Sequence, residues 1–388
     1  MKSSIGWKTY KLEEIAEIVG GGTPSTTNPE FWGEEIPWIT PRDLADIDEQ
    51  FIARGERCIT NKGLQNSSAR LLPTGSVLLT TRAPIGYLRI ALNPVCTNQG
   101  FKSLIPNTDI IDNRFLFYLL KNNVEYLKSI GVGTTFAEIS GSTLRQIEFQ
   151  FPPLGIQRRI AEVLGSLDAK IELNRRMNRT LEAIAQAVFR EWFVNSEEVQ
   201  GWEVRKLGEV ANNLRHGIRP QQIEPTTNYI GLEHMPRASI ALTEWGYASE
   251  LASNKFVFRQ GDFLFGKLRP YFHKVGIAPI NGICSTDILV IVPRAPEWYG
   301  FVLEHISSVE LINYTNAAST GTKMPRTSWS DIASYEVSMP PVELAEEFNQ
   351  FFMPIVKQIQ VNIMQSHTLA HLRDTLLPKL MRGEVRAN

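Results

Sequence analysis

Cysteine is nearly absent from this sequence. Its three copies among 388 residues, Cys58, Cys96 and Cys284, form an odd set with no C-x-x-C pair, which argues against a disulfide framework or a zinc ribbon and for a reducing interior. Long apolar runs are missing as well: none reaches the ~18 residues that a membrane span needs, and the opening MKSSIGWKTY has no signal-type apolar stretch. The expectation is a soluble, cytoplasmic protein. Nor does either sign of charge dominate, since 40 Lys and Arg face 41 Asp and Glu for a net charge of −1. Any contact with nucleic acid then has to come from local patches. With 43% hydrophobic and 21% charged residues, the composition is that of an ordered globular chain.

Signatures of catalysis are equally scarce. There is no G-x-S-x-G, no Asn-Pro-Pro-aromatic and no G-x-G-x-x-G opening a βαβ unit. GDFLFGKL from Gly261 approaches the spacing of a phosphate loop, but Leu268 stands where Ser or Thr would hold Mg²⁺, and the residues between the glycines are strand-like. His367 and His371 have the i, i+4 spacing of helical metal ligands. Without a third ligand or an H-E-x-x-H they read as a solvated helix face. The sequence assigns no catalytic, cofactor-binding or metal-binding residue, and it reads as a protein that is not itself an enzyme.

What the chain does contain is a second copy of itself. FQFPPLGIQRRI from Phe149 is echoed by VSMPPVELAEEF from Val337, and the same offset of 188 carries Gly133, Ser142, Pro152 and Pro153 onto Gly321, Ser330, Pro340 and Pro341. Cys96 falls on Cys284. Nearer the front the offset becomes 195, with WKTYKLEEIA from Trp7 matching WEVRKLGEVA from Trp202. A repeat of this length is a duplicated domain with its tail, and it implies pseudo-twofold symmetry.

Both tails carry an apolar seam that alternates steps of four and three residues, the pattern of a coiled coil. The first runs Ile160, Leu164, Leu167, Ile171, Asn174, Asn178, Leu181, Ala185, Val188, Trp192; the second runs Phe348, Phe352, Ile355, Ile359, Asn362, Ser366, Leu369, Arg373, Leu376, Leu380. Both turn polar at the same level. Helices of about 38 residues span about 57 Å, longer than such a domain is wide, so pairing with each other is favoured over packing each on its own domain. The symmetry predicts an antiparallel pair with one domain at either end, a dumbbell. The expected divisions are a first globular domain at 1–151, a helix at 152–196, a second globular domain at 197–340 and a final helix at 341–388. Strand-like SVLLT and DFLFGKL and the helical NRFLFYLLKNNVEYLKSI place the globular copies in the α+β class.

Basic residues interleaved with aromatics form the strongest binding signal. NKFVFRQGDFLFGKLRPYFHK from Asn254 has five Lys and Arg against one Asp, and ARLLPTGSVLLTTRAPIGYLRI from Ala69 has three Arg and no acid. The alternating Phe256, Phe258, Phe263 and Phe265 read as core. Lys267, Arg269, Tyr271 and His273 read as a loop able to reach phosphates or guanine edges, although a merely solvated loop has the same composition. With them go Thr322, Lys323 and Arg326 of the GTKMPR loop. In the first copy the candidates are Thr23, Arg42, Arg70 and Arg82, with Thr134 and Thr135 of the GTTF loop.

Three phrases in order, WKTYKLEEIAEIVGGGTPSTTNPEFWGEEIPWITPRDL, PPLGIQRRIAEVLGSLDAKIELNRRM and LLPKLMRGEV, resemble the specificity subunit of Type I restriction–modification enzymes over essentially the whole chain. The resemblance implies two target recognition domains, each reading half of a bipartite double-stranded DNA target. It implies an antiparallel coiled coil that sets the spacer and docks two methyltransferase subunits, which bind S-adenosylmethionine. Restriction/translocase subunits that use ATP and Mg²⁺ would join that core. One departure is visible: Gln157 follows the first Pro-Pro as in the family, whereas Ala345 stands at that place in the second copy. The rival readings are a coiled-coil scaffold without DNA specificity and an enzyme with an unrecognised active site.

Overall fold

The two Pro-Pro pairs are junctions between strand and helix. In the computed structural model, which describes residues 6–45, 49–133, 137–249, 253–319 and 324–387, strand Glu148–Phe151 ends at Pro152 and helix Leu154–Arg190 begins beyond Pro153. Strand Glu336–Met339 and helix Val342–Met381 flank the second pair. Proline has no N–H to continue a ladder, yet its carbonyl can still open a helix. Pro153 O accepts from Ile156 N and Gln157 N, and Pro341 O accepts from Leu344 N and Ala345 N. Each closing strand pairs antiparallel with the first strand of its copy, Lys8–Lys11 in one case and Glu203–Lys206 in the other, so both copies begin and end side by side.

The chain divides into two compact units, residues 1–172 with 369–388, and residues 173–368. This division cuts through both long helices instead of setting them apart as segments. The reason is burial: Leu377, Leu380 and Met381 share the core of the first unit with Ile160, Ala161 and Leu164, while Ala185 and Phe189 share that of the second with Phe348 and Phe352. Within each unit, rising numbers on one helix meet falling numbers on the other, so the pairing is antiparallel. The protein is α+β. Among the described residues no helix is long and apolar enough to cross a membrane.

In the first unit the hairpin Val77–Thr81 and Ile85–Ala91 lies in a five-stranded sheet with Lys102–Pro106 and Ala16–Gly20 on one side. Helix Asn113–Asn122, capped by Asp112 accepting from Arg114 N and Phe115 N, buries Phe115, Leu116 and Tyr118 beneath it. The second unit repeats the plan with Ala211–Leu214, Ile288–Pro293, Phe263–Gly266 and Val275–Ile277 in one sheet and helix Tyr299–Ile306. Strand alternation sends Phe263 and Phe265 to the helix side and Leu264 to the other core.

Gln157 explains why the first junction has a glutamine. It is buried; its Nε2 donates to Pro152 O and Ile110 O, and its Oε1 accepts from Asp112 N, which ties the helix start to the loop before helix Asn113–Asn122. Ala345 is buried among apolar side chains instead. Asn349, one turn later, makes the equivalent tie, donating to Pro296 O and accepting from Gly300 N. Gln157→Ala is expected to cost the first unit about 1–3 kcal/mol, the penalty for orphaned buried partners, measured by urea unfolding followed by hydrogen exchange in helix Asn113–Asn122.

Polar contacts mark the helix pair in both units. In the second, Asn174 Nδ2 donates to Gln365 Oε1 at 2.9 Å and Ser366 Oγ at 3.1 Å, and Asn362 Nδ2 donates to Asn178 Oδ1 at 2.8 Å. In the first, Arg373 at the seam level donates to Asp168 at 2.6 Å, and Asp168 also accepts from Tyr118 Oη. Ile160, Leu164, Ile171, Phe348, Phe352, Ile355 and Ile359 are buried, whereas Leu167, Leu369 and Leu376 are half-buried. Beyond Leu181, also half-buried, the buried positions become Ala185, Phe189 and Phe193, and Val188 lies to the side. The face drifts because the helix here packs on Phe301 and Phe348 of the second unit, with ring centroids 5–6 Å apart, and needs no supercoil seam.

Candidate nucleic-acid interface

Both sheets end in the same construction, a basic turn gripped by a distant segment. The turn after Val77–Thr81 holds Arg82; Ile139 N donates to Thr81 O at 3.0 Å and residue 138 pairs with Arg82 across a bridge. The turn after Phe263–Gly266 holds Lys267 and Arg269; Thr327 N donates to Lys267 O at 3.0 Å, Arg269 N to Pro325 O at 2.8 Å, and Leu268 bridges Arg326. The segments flanking the GTTF and GTKMPR loops are thus laid on the basic turns. Thr134, Thr135, Thr322 and Lys323 themselves lie outside the described residues.

Backbone strain collects at the same two places. Among the described residues, the non-glycine residues with left-handed backbone are Ala83 (φ 43°), Ala238 (φ 50°), Arg269 (φ 53°) and His273 (φ 50°). Ala83 follows Arg82, Arg269 and His273 bracket the turn Pro270–Phe272, and Ala238 N donates to His273 O. Each such residue costs of order 1–3 kcal/mol and persists where the surroundings over-determine it, which is characteristic of functional turns. That the strain falls on equivalent turns of both copies points to a common use.

The side chains follow from this frame. Tyr271 is exposed at the apex, its ring edge-on to Phe272, which lies beneath the Arg237 guanidinium at 4.3 Å and near that of Arg269 at 5.8 Å. His273 is turned inward, its Nε2 2.8 Å from Ser307 O. Arg326 is exposed, 3.6 Å from Asp287. In the first unit a Cβ on Gly100 would lie 3.3 Å from Pro41 and 3.6 Å from Arg82 O, so the short helix Pro41–Ala45 bearing exposed Arg42 abuts the Arg82 turn. Thr23, half-buried, bonds the side chain of the adjacent Gln99. Arg70 is exposed but lines an open groove with Glu13, Glu14, Glu17 and Arg145. The fold therefore gathers Thr23, Arg42 and Arg82 in one unit and Lys267, Arg269, Tyr271 and Arg326 in the other.

Sequence reasoning missed Arg237, Glu138 and Asp287. Arg237 lies outside the basic-aromatic run, and the two acids are remote in sequence from the cations they meet. Chemically, the first cluster presents guanidinium donors and the second guanidinium and ammonium donors around a rigid turn, suited to phosphate oxygens and guanine edges. Among the described residues no group of His, Cys, Asp and Glu is placed to hold a metal ion.

A family model described as the Type I restriction modification DNA specificity domain matches residues 4–183. The chain is 33% identical to the Type I restriction enzyme MjaIX specificity subunit of Methanocaldococcus jannaschii, over 98% of this chain and 94% of that protein. It is 23% identical to the HindI specificity subunit of Haemophilus influenzae, over 98% and 99% of the two chains. Among solved structures, the S subunit of a Type I restriction–modification system from M. genitalium matches with a TM-score of 0.60 at 16% identity, covering 98% of this chain and 97% of that one, a likeness of fold.

Proposed function

The chain belongs to the specificity subunits of Type I restriction enzymes, and on that premise we propose that each of its units reads one half of a bipartite DNA target through its strained basic turn. The carrying observation is the recurrence of that turn, with left-handed backbone and a distant segment laid on it, in both copies. Phosphate contacts would set position and base-edge hydrogen bonds would set sequence. In this reading the protein acts in the cytoplasm and is not itself catalytic. Methylation belongs to partner subunits that bind S-adenosylmethionine, and cleavage to restriction/translocase subunits that use ATP and Mg²⁺.

The paired helices would fix the distance between half-sites and dock two copies of the methyltransferase subunit. Exposed apolar residues support the docking, because they recur in pairs at the repeat offset: Val163 and Phe351 are 36% and 37% exposed, Leu173 and Val361 52% and 51%, Ile184 and Leu372 44% each. Two like stripes suit two copies of one partner.

The test replaces Lys267 and Arg269 with Ala and maps methylated sites genome-wide in cells carrying the subunit and its partners. One half-site is expected to relax or weaken, by about 1–3 kcal/mol for each lost bidentate base contact, and the other to stay as it was. Equal loss at both halves, or no change at either, rejects the two-reader model. Methylation or cleavage by the purified chain alone would identify an enzyme, and affinity for DNA without preference for the mapped site would leave only a scaffold.

A further inference from the structure

We infer that Glu138 and Asp287 are built-in counter-charges that hold each reader's cations back from non-specific DNA, so that they determine specificity without contacting a base. The inference rests on the reading that the two basic turns meet DNA. Glu138 lies 3.8 Å from Arg82 and 3.8 Å from Lys102; Asp287 lies 3.6 Å from Arg326. Both acids are tied through the backbone to the basic turn of their unit, Asp287 pairing with Arg326 on the segment laid on that turn. Residue 138 is backbone-paired with Val132 and its neighbour Ile139 donates to Thr81 O, while Asp287 O accepts from Lys267 N at 2.9 Å.

Stability does not account for these pairs. The structural ion pair of the first unit, Arg373 with Asp168, is 2.6 Å long with side chains only 15% and 14% exposed. The reader pairs are longer; Lys102 is 20% exposed, but Arg82 and Arg326 are 48% and 52% exposed, and for those two an ion pair contributes little to folding. What a carboxylate at 3.6–3.8 Å does is lower the local positive potential while leaving guanidinium donors uncommitted. Backbone-only binding depends on counterion release and weakens in proportion to the cations withheld. Binding to the right bases can displace the carboxylate because directed hydrogen bonds replace it. The two copies reach this arrangement from different elements, Glu138 from the segment after the GTTF loop and Asp287 from the turn before strand Ile288–Pro293. A net charge of −1 on the whole chain agrees with a reader that avoids general attraction to DNA.

The test measures affinity of the full-length chain with its methyltransferase partner for two duplexes across a salt series, one carrying the mapped target and one scrambled. Glu138→Gln and Asp287→Asn are each expected to raise scrambled-duplex affinity about threefold to tenfold near 0.1 M salt, and to steepen its salt slope by about one per cation released. Target affinity is expected to rise less, so selectivity falls; Glu138→Asp, which keeps the charge, is expected to retain it. Arg82→Ala and Arg326→Ala separate the two levels of the argument. If they leave both duplexes unaffected, the assignment of these turns to DNA fails. If they weaken binding while Glu138→Gln and Asp287→Asn leave scrambled affinity and its salt slope unchanged, or weaken both duplexes equally, the counter-charge inference is overturned.

Discussion

Replacing Asp168 with Ala will destabilise the first unit by about 3 kcal/mol, the scale for breaking a buried ion pair from one side. Asp168 accepts from Arg373 and from Tyr118 Oη. Without it the Arg373 guanidinium keeps only Asp374, itself 57% exposed, and the Tyr118 hydroxyl loses its acceptor. Burial, the largest of the effects that hold that phenol above its usual range, persists in the variant and opposes escape by ionising. Replacing the pair together, as Asp168→Leu with Arg373→Met, should recover most of the loss, because the desolvation cost of both charges disappears. Urea unfolding with hydrogen exchange at helix Asn113–Asn122 and at residues 369–381 measures both. A single variant as stable as the parent would show that the pair does not hold the two helices together in this unit.

A fragment of residues 1–196 will dimerise weakly, and adding Ala185→Arg will tighten it at least tenfold. At the repeat offset Phe189, Trp192 and Phe193 stand where Leu377, Leu380 and Met381 pack in the first unit, so a second copy of the first helix can replace the missing one. Asn174 and Asn178 likewise stand in for Asn362 and Ser366 in the polar layer. Arg373 has no such substitute: its place falls to Ala185, and Asp168 loses its cation. Two restored pairs at even 0.7 kcal/mol each amount to about a tenfold gain. With its methyltransferase partner the dimer is expected to modify a symmetric site made of the first half-site twice. Analytical ultracentrifugation and methylation mapping read the two results. A fragment that stays monomeric at high concentration with Arg at 185, or that leaves the symmetric site unmodified, contradicts the pseudo-twofold model.

The duplication, the Pro-Pro junctions and the apolar seams were legible in the sequence because each is a local or periodic pattern, and periodic burial writes itself directly into residue order. The basic-aromatic runs likewise named Arg82, Lys267, Arg269 and Tyr271 before any fold was known. Tertiary structure decided what those residues face. Nothing in the order of residues says that Arg373 meets Asp168 at a separation of 205, that the tie made by Gln157 moves one turn on to Asn349, or that the buried face drifts to Phe189 and Phe193 where the helix meets aromatic rings. The left-handed backbone of Arg269 and His273 is equally hidden, since neither is a glycine and the turn is held by the bonds that Arg269 N donates to Pro325 O and His273 O accepts from Ala238 N. The same holds for Glu138 and Asp287. A charge run reports which cations are clustered along the chain, but the acid that meets them arrives on another segment, and only the folded backbone sets that distance.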